Sequence, residues 1–347
     1  MVSRESVIDA LRRVNDPELR RSLVELDMIR DVTIRGGQVA VTVALTVPGC
    51  PLRNTIEQDV RAALQALPGV EQVEVHMTAM TDEERRELSR RLWGDQPGDA
   101  GILGPGSDTE AIAVASGKGG VGKSTVAVNL AVTLAAMGHR VGIIDADIYG
   151  FSVPGLLGVS RVPTVIDNMI IPVPAHGVSV MSMEFFLQEN RPVLWRGPML
   201  GKMLREFFRR VYWGELDYLV LDLPPGTGDV ALDVHQLLPA SREIVVTTPH
   251  PTATHVAYRA GRMAIDTNHE IIGVVENMSY FRAPDTGKVY HIFGEGGGDR
   301  LAEQLGVPLL ARIPLGNPQI PGTGLFVEGS EAHEAIRRVA EACVRAR

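Results

Sequence analysis

The sequence predicts an α/β fold, a parallel sheet covered by helices on both faces, preceded by a small α+β domain. Three observations predict it. From Glu110 onward, short apolar runs alternate with helical stretches. One of those runs passes through a glycine-rich turn straight into a helix. Ahead of them lies a hairpin-and-helix stretch, set apart by GDQPGDAGILGPGSD, a segment rich in Gly, Pro and Asp. Strands that alternate with helices and read as continuous apolar runs belong to sheets buried on both faces.

The elements follow in order. Ser3 to Val14 has helical apolar spacing. Asp31 to Ile34 and Gln38 to Thr46 read as two strands joined at Gly36-Gly37, a natural tight turn. Pro48-Gly49 ends the second strand, and Pro51 can occupy a first helical turn, where its missing N–H costs nothing. That helix reaches about Leu67 and stops at Pro68-Gly69, before a third strand over Val73, Val75 and Met77. Thr81 to Trp93 reads as a charged helix. The expected divisions are a small α+β domain over 1–80, a helix and Gly/Pro linker over 81–109, and an α/β domain over 110–347. In that last region Ala111 to Ser116, Val141 to Ile144, Tyr218 to Leu221, Glu243 to Thr248 and Ile271 to Val275 read as strands, and Thr252 to Asp266 as a helix.

Composition sets bounds on function. The 347 residues are 45% hydrophobic and carry a formal net charge of −8, so a full core is available and a basic nucleic-acid face is not expected. The charged, amphipathic N-terminus has no signal-peptide core and no run of 18 apolar residues occurs. A cytoplasmic protein without a membrane anchor is expected. Cys50 and Cys343 are the only cysteines, so no disulfide framework supports the fold.

Residues 117–124 read Gly117-Lys118-Gly119-Gly120-Val121-Gly122-Lys123-Ser124, with Thr125 next. They match G-x-x-x-x-G-K-[ST] between a strand and a helix, the context a phosphate loop needs. Glycines let backbone N–H groups turn toward phosphate oxygens, and the helix N-terminus adds positive potential. Lys123 is expected to reach the β/γ-phosphates and Ser124 to ligate Mg²⁺. Tyr218-Leu-Val-Leu-Asp222 is an apolar strand ending in a carboxylate that can hold the same metal, and the loop Pro224–Asp229 behind it suits a γ-phosphate sensor. Val141-Gly-Ile-Ile-Asp145-Ala-Asp147 is a second such strand; capping or turn roles for these aspartates stand as the alternative.

Lys118, the second lysine, makes the loop resemble the deviant Walker A motif KGGVGKST. The segments DADIYGFSVPGLLG, WRGPM, DLPPGTGD, ENMSYF and IFGEGGGDRLAE resemble, more narrowly, the Mrp/ApbC family of iron–sulfur cluster carrier ATPases, over nearly the whole chain. The resemblance implies a homodimeric P-loop NTPase using ATP and Mg²⁺ at a slow rate, and delivering an iron–sulfur cluster to apo iron–sulfur proteins or assembly factors. It implies that Lys118 reaches the partner's phosphates, that Asp147 orients the attacking water, that Asp145 supports the metal shell and that Asn277 reads the adenine edge. Met278 and Ser279 read as packing and capping residues.

One departure bears on the cargo. The family carries a Cys-x-x-Cys after the ENMSYF segment, whereas this chain reads Phe281-Arg282-Ala283-Pro284-Asp285-Thr286-Gly287-Lys288. Cys50, in Thr46-Val-Pro-Gly-Cys50-Pro, sits before a helix start, where a thiol's pKa falls. It is the candidate iron–sulfur ligand, with a small buried hydrophobe as the alternative reading. Cys343 falls on the apolar stripe of the last helix. Asp285, Tyr290 and His291 lie near the missing pair but lack ligand spacing, and His250 and His255 read as structural or solvent-facing. Two other functions stay open: a nucleotide-gated adaptor that binds no cluster, and a MinD/ParA-type spatial organiser at a membrane or scaffold.

Overall fold

The computed structural model describes residues 2–93, 102, 107–147, 150–186, 197–316 and 319–346. Most of the expected linker therefore lies outside the described residues, as do Ile148, Tyr149, Trp195 and Arg196 of the family-like segments. The chain divides into two compact units, and two short stretches within 110–347 pack with the first: Met1–Pro97 is joined by Pro163–Pro172 and Arg210–Gly214.

The first unit contains α1 (Arg4–Leu11), β1 (Ile29–Arg35), β2 (Gln38–Leu45), α2 (Arg53–Gln65), β3 (Gln72–Ala79) and α3 (Asp82–Trp93). β1 and β2 form the antiparallel hairpin around Gly36, whose φ of 60° needs no Cβ relief, while β3 runs parallel to β2 after the α2 crossover. Val39, Val41 and Val43 alternate inward from β2 and meet Val7, Leu11, Ile56, Val60 and Leu64 from the helices. α1 starts at a capping box in which Ser3 and Ser6 satisfy each other's backbone.

The second unit is built on an eight-stranded sheet. The unit begins with β4 (Glu110–Ser116), α4 (Lys123–Ala136), β5 (Val141–Asp145) and the single turn α5 (Val153–Leu156). The hairpin β6 (Thr164–Ile166) and β7 (Met169–Ile171) follows and contributes Ile166, Met169 and Ile171 to the core of the first unit. The remaining elements are β8 (Val173–Ala175), β9 (Val178–Ser182), α6 (Gly197–Arg210), β10 (Tyr218–Asp222), α7 (Asp229–Leu237), β11 (Arg242–Thr247), α8 (Pro251–Asp266) and β12 (Ile271–Glu276). The chain then runs through the hairpin β13 (Phe281–Arg282) and β14 (Val289–Tyr290), α9 (Gly297–Leu305), β15 (Leu309–Arg312) and α10 (Glu331–Arg345).

The sheet order is β15-β12-β11-β4-β10-β5-β9-β8, and every neighbour pair is parallel except β8 with β9. Its strands β5, β10, β11 and β12 are buried along their whole length, so continuous apolar runs and not alternation mark them. The chain winds outward from β4 in both directions. The crevice beyond the C-terminal ends of β4, β10 and β5 is thus a topological switch point, where such sheets bind ligands. Among the described residues no helix is long and apolar enough to cross a membrane.

Candidate functional site

Strand register assembles the site. Asp222 ends β10 directly opposite Asp145 on β5, and Val114 of β4 lies opposite Asp222 on the other side. Neighbouring strands lie about 4.8 Å apart, so the two carboxylates and the loop after β4 must share one corner. That loop opens into α4, whose first residue is Lys123 and whose N-cap is Gly122 at φ 83°. A side chain at 122 would be strained by that φ, and its Cβ would sit 2.1 Å from the Asn277 amide nitrogen. Gly117 is required for a different reason: a Cβ there would lie 2.2 Å from the backbone of α8 at Ala257.

The charges in this corner are committed to one another. Lys123 Nζ donates to Asp222 Oδ1 at 2.5 Å and lies 3.8 Å from Asp147 Oδ2. The Ser124 hydroxyl accepts from Lys123 Nζ at 3.3 Å and lies close enough to Asp222 to help lower its pKa. Burial pushes the Asp222 carboxyl above the usual carboxylate range, against the opposing pull of Lys123. Asp145 rises to about 7, through burial first and the Asp222 charge second. The two oxygens of Asp145 accept from the backbone N–H groups of Asp147, Ser152 and Val153 and from the Ser182 hydroxyl. It therefore braces the turn that presents Asp147.

Magnesium fits here on the chemistry of the donor set. Asp222 Oδ2 is fully buried and has no hydrogen-bond partner among the described residues. A buried carboxylate oxygen in that condition is costly unless a cation or water completes it. The Ser124 hydroxyl stands beside it, and carboxylate plus hydroxyl oxygens are what a hard divalent cation takes. Ser124 and Asp222 would hold the ion, which would supply charge neutralisation for phosphate oxygens.

The other expected residues fall in distinct places. Lys118, Gly119 and Gly120 are exposed, the first with its carbonyl receiving the Ser116 hydroxyl. Lys118 thus stays off its own chain's buried corner. Val121 is buried beneath the loop, and the Thr125 carbonyl receives the Asn129 amide. Asn277 is buried, with its side-chain amide donating to the Val121 carbonyl at 2.8 Å. Nothing in the motif foretold this loop brace. Gly226, in the loop after β10, donates its N–H to Ser116 at the end of β4, tying that loop to the strand that launches the phosphate loop. His250 caps α8, where its ring accepts from the Thr252 N–H, and His255 is exposed on the same helix.

The thiols lie elsewhere. Cys50 is buried in the apolar core of the first unit, three residues before α2. Cys343 is fully buried on α10, and burial pushes its thiol up to about 12, which makes it an inert packing residue. The segment in place of the family's cysteine pair forms the hairpin β13–β14, pinned by Tyr280 and Arg282, which donate to the two carboxylate oxygens of Glu331 at 2.9 and 2.8 Å. Among the described residues, no three His, Cys, Asp or Glu side chains converge on a metal-holding geometry.

Comparison with known proteins places the chain in a family. Residues 108–340 fit the family model described as NUBPL iron-transfer P-loop NTPase, and residues 4–76 fit the one described as iron-sulfur cluster assembly protein. The chain is 49% identical over 320 residues to the iron-sulfur cluster carrier protein of Bacillus subtilis (strain 168), covering 92% of this chain and 90% of that one. It is 37% identical over 328 residues to the protein of the same name from Aquifex aeolicus (strain VF5), covering 91% and 88%. Among solved structures, a nucleotide-binding protein from Archaeoglobus fulgidus in complex with ADP superposes with a TM-score of 0.54 at 35% identity, over 76% of this chain and 92% of that one. The cell division ATPase MinD of Pyrococcus furiosus shares the fold, with a TM-score of 0.50 at 22% identity over 69% of this chain and 99% of that one.

Proposed function

The chain belongs to the iron-transfer P-loop NTPases of the Mrp/ApbC type, and from that premise we propose that it is a homodimeric, Mg-dependent ATPase that carries an iron–sulfur cluster to apo-proteins. The observation that carries the reading is the buried corner where Lys123, Ser124, Asp147 and Asp222 meet at the mouth of the phosphate loop. In this mechanism the loop N–H groups and Lys123 hold the β/γ-phosphates, and Lys123 leaves Asp222 as the phosphates arrive. Ser124 and Asp222 hold Mg²⁺. Asp145 acts through the turn it braces, aiming Asp147 at the attacking water. Lys118, exposed on each protomer, enters the partner's site and stabilises charge on the transferring phosphoryl group. ATP and ADP forms then differ in how the two protomers meet, and that difference drives cargo uptake and release.

The cluster is cargo, and its ligands must come from outside the hairpin β13–β14. Both thiols are buried, Cys343 fully and Cys50 at 7% exposure; Cys50 alone precedes a helix start, so Cys50 is the candidate ligand. The test is anaerobic purification, reconstitution with iron and sulfide, and transfer to an apo-acceptor, for the wild type and Cys50→Ser. Iron and sulfide bound by the wild type and lost in Cys50→Ser support the carrier reading. A wild type that hydrolyses ATP but binds no cluster removes it. A second reading, a nucleotide-gated adaptor without cargo, is favoured by the hairpin's lack of thiolates. It is distinguished by partner binding that requires Lys123 while iron content stays nil.

A further inference from the structure

We propose that Ser182, the last residue of β9, is a positioning residue for ATP hydrolysis: its hydroxyl fixes the Asp145 carboxylate, and through it the turn that aims Asp147 at the attacking water. The inference rests on the hydrolytic reading of the same corner. Parallel register sets Ser182 directly opposite Asp145, on the side of β5 away from β10. The side chain is fully buried. Its hydroxyl donates to Asp145 Oδ2 at 3.3 Å and accepts from the Glu184 N–H at 3.1 Å. The Glu184 N–H engages a lone pair and leaves the hydroxyl proton directed at Asp145.

Among the described residues, the donors on Asp145 are of two kinds. The N–H groups of Asp147 at 3.2 Å, Ser152 at 3.0 Å and Val153 at 3.1 Å belong to the segment that the carboxylate organises. Ser152 is the N-cap of α5, yet its own side chain makes no capping bond. The Asp145 carboxylate satisfies the first N–H groups of that turn in its place. These three bonds wrap the segment around the carboxylate and would follow it if it turned. Ser182 comes from a different strand, and its hydroxyl ties the carboxylate to the sheet.

The direction of that carboxylate matters because Asp147 follows so closely. The Ala146 N–H donates to the Asp222 carbonyl at 2.9 Å, which fixes where the turn begins. The Asp147 N–H is then held by Asp145 Oδ1, and Asp147 Oδ2 lies 3.8 Å from Lys123 Nζ, inside the phosphate corner. Ser182 stands at the far side of this arrangement, since the sheet runs β4-β10-β5-β9 from the strand that launches the phosphate loop. Its hydroxyl bonds go to Asp145 and Glu184, and not to Lys123, Ser124 or Asp222. Loss of the hydroxyl therefore changes where Asp147 points and leaves the groups that hold the triphosphate in place. A reacting group misplaced by about 1 Å can cost about 100-fold in rate. One loosened hydrogen bond of several predicts a smaller loss, about tenfold.

The test measures kcat and KM for Mg·ATP hydrolysis, and Mg·ADP affinity by calorimetry, on the full chain. The variants are Ser182→Ala, the near-isosteric weak donor Ser182→Cys, the hydroxyl-keeping Ser182→Thr, and Ser182→Ala combined with Asp147→Asn. Ser182→Ala and Ser182→Cys are expected to lower kcat about tenfold, with KM and Mg·ADP affinity within about twofold of wild type; the cysteine variant decides if the alanine variant unfolds. Ser182→Thr is expected to recover kcat to within about threefold. In the Asp147→Asn background, Ser182→Ala should cost no more than about twofold further, because residues acting through one another are not additive. An unchanged kcat in Ser182→Ala overturns the proposal, as does a loss of Mg·ADP affinity as large as the loss of rate. It is overturned likewise if Ser182→Thr is as slow as Ser182→Ala, or if the tenfold cost persists without the Asp147 carboxylate. A wild type that binds Mg·ATP and never hydrolyses it removes the hydrolytic reading, and the positioning role with it.

Discussion

The phosphate loop and the hairpin β13–β14 handle charge in opposite ways. At the loop, the Lys123 and Asp222 side chains are 6% and 0% exposed. At the hairpin, Arg282 and its partner Glu331 are 45% and 47% exposed. Removing an ion from water costs several kcal/mol even after relaxation, and breaking a buried pair costs about 3–5 kcal/mol. An exposed pair contributes roughly 0–1 kcal/mol. Chemistry at the loop is therefore bound up with the fold, whereas chemistry at the hairpin can change without unfolding anything. That is how this chain keeps the family's framework around the ENMSYF segment and lacks the thiolates that usually follow it.

The comparison can be broken most sharply at Lys123. Lys123→Ala is expected to weaken Mg·ATP binding at least about 100-fold, close to 2.8 kcal/mol, by titration calorimetry. A loss of only twofold would mean that the buried pair is structural and the contrast with the hairpin false. The hairpin's freedom is tested by placing a Cys-x-x-Cys in its turn. Ala283→Cys with Thr286→Cys is expected to gain about four iron atoms per dimer after reconstitution, since four thiolates hold one [4Fe–4S] cluster. ATP affinity should stay within a few-fold, and collapse of ATP binding would contradict the proposed separation.

Acidity sharpens the loop side. Asp145 titrates near 7 because burial, and then Asp222, disfavour its charge. A raised carboxyl pKa means the folded chain holds a proton that the unfolded chain has released, so this group's contribution to stability falls as pH climbs from the ordinary carboxylate range to about 7 and then levels off. A divalent cation held at the neighbouring Asp222 would add positive potential that favours loss of that proton. Mg·ADP should raise the melting temperature more at pH 8 than at pH 6, with affinity gaining at most about tenfold per pH unit below 7, as release of one proton requires. An affinity independent of pH would show that Asp145 stays ionised. The smallest effect belongs to the hairpin. Glu331→Ala removes both pinning bonds yet should lower stability by only about 0.5 kcal/mol in a denaturant titration.

Much of this was legible in the sequence, for reasons that particular residues make plain. Gly117 to Ser124 is contiguous, so its spacing carries its chemistry. Asp145 and Asp222 end apolar runs, and parallel register alone brings strand-ending carboxylates together. The short strands of β6 and β7 were not legible, because three residues are too few to show a period and Ile166, Met169 and Ile171 take their burial from elements far away in sequence. The Asn277–Val121 bond joins residues 156 positions apart, which no local pattern encodes. A cap or turn role for Asp145 stood as an alternative in the sequence, and Asp147 is a local partner, but Ser152, Val153 and Ser182, which also satisfy its oxygens, lie too far along the chain for a local pattern to name.

The ion pair of Lys123 with Asp222 also dictates an order of arrival. If Asp222 holds magnesium as proposed, an ammonium group resting on that carboxylate repels the bare cation. Only a metal already escorted by phosphates brings the negative charge that coaxes the lysine away. On that proposed reading, the resting site would stay clear of free magnesium until phosphates arrive.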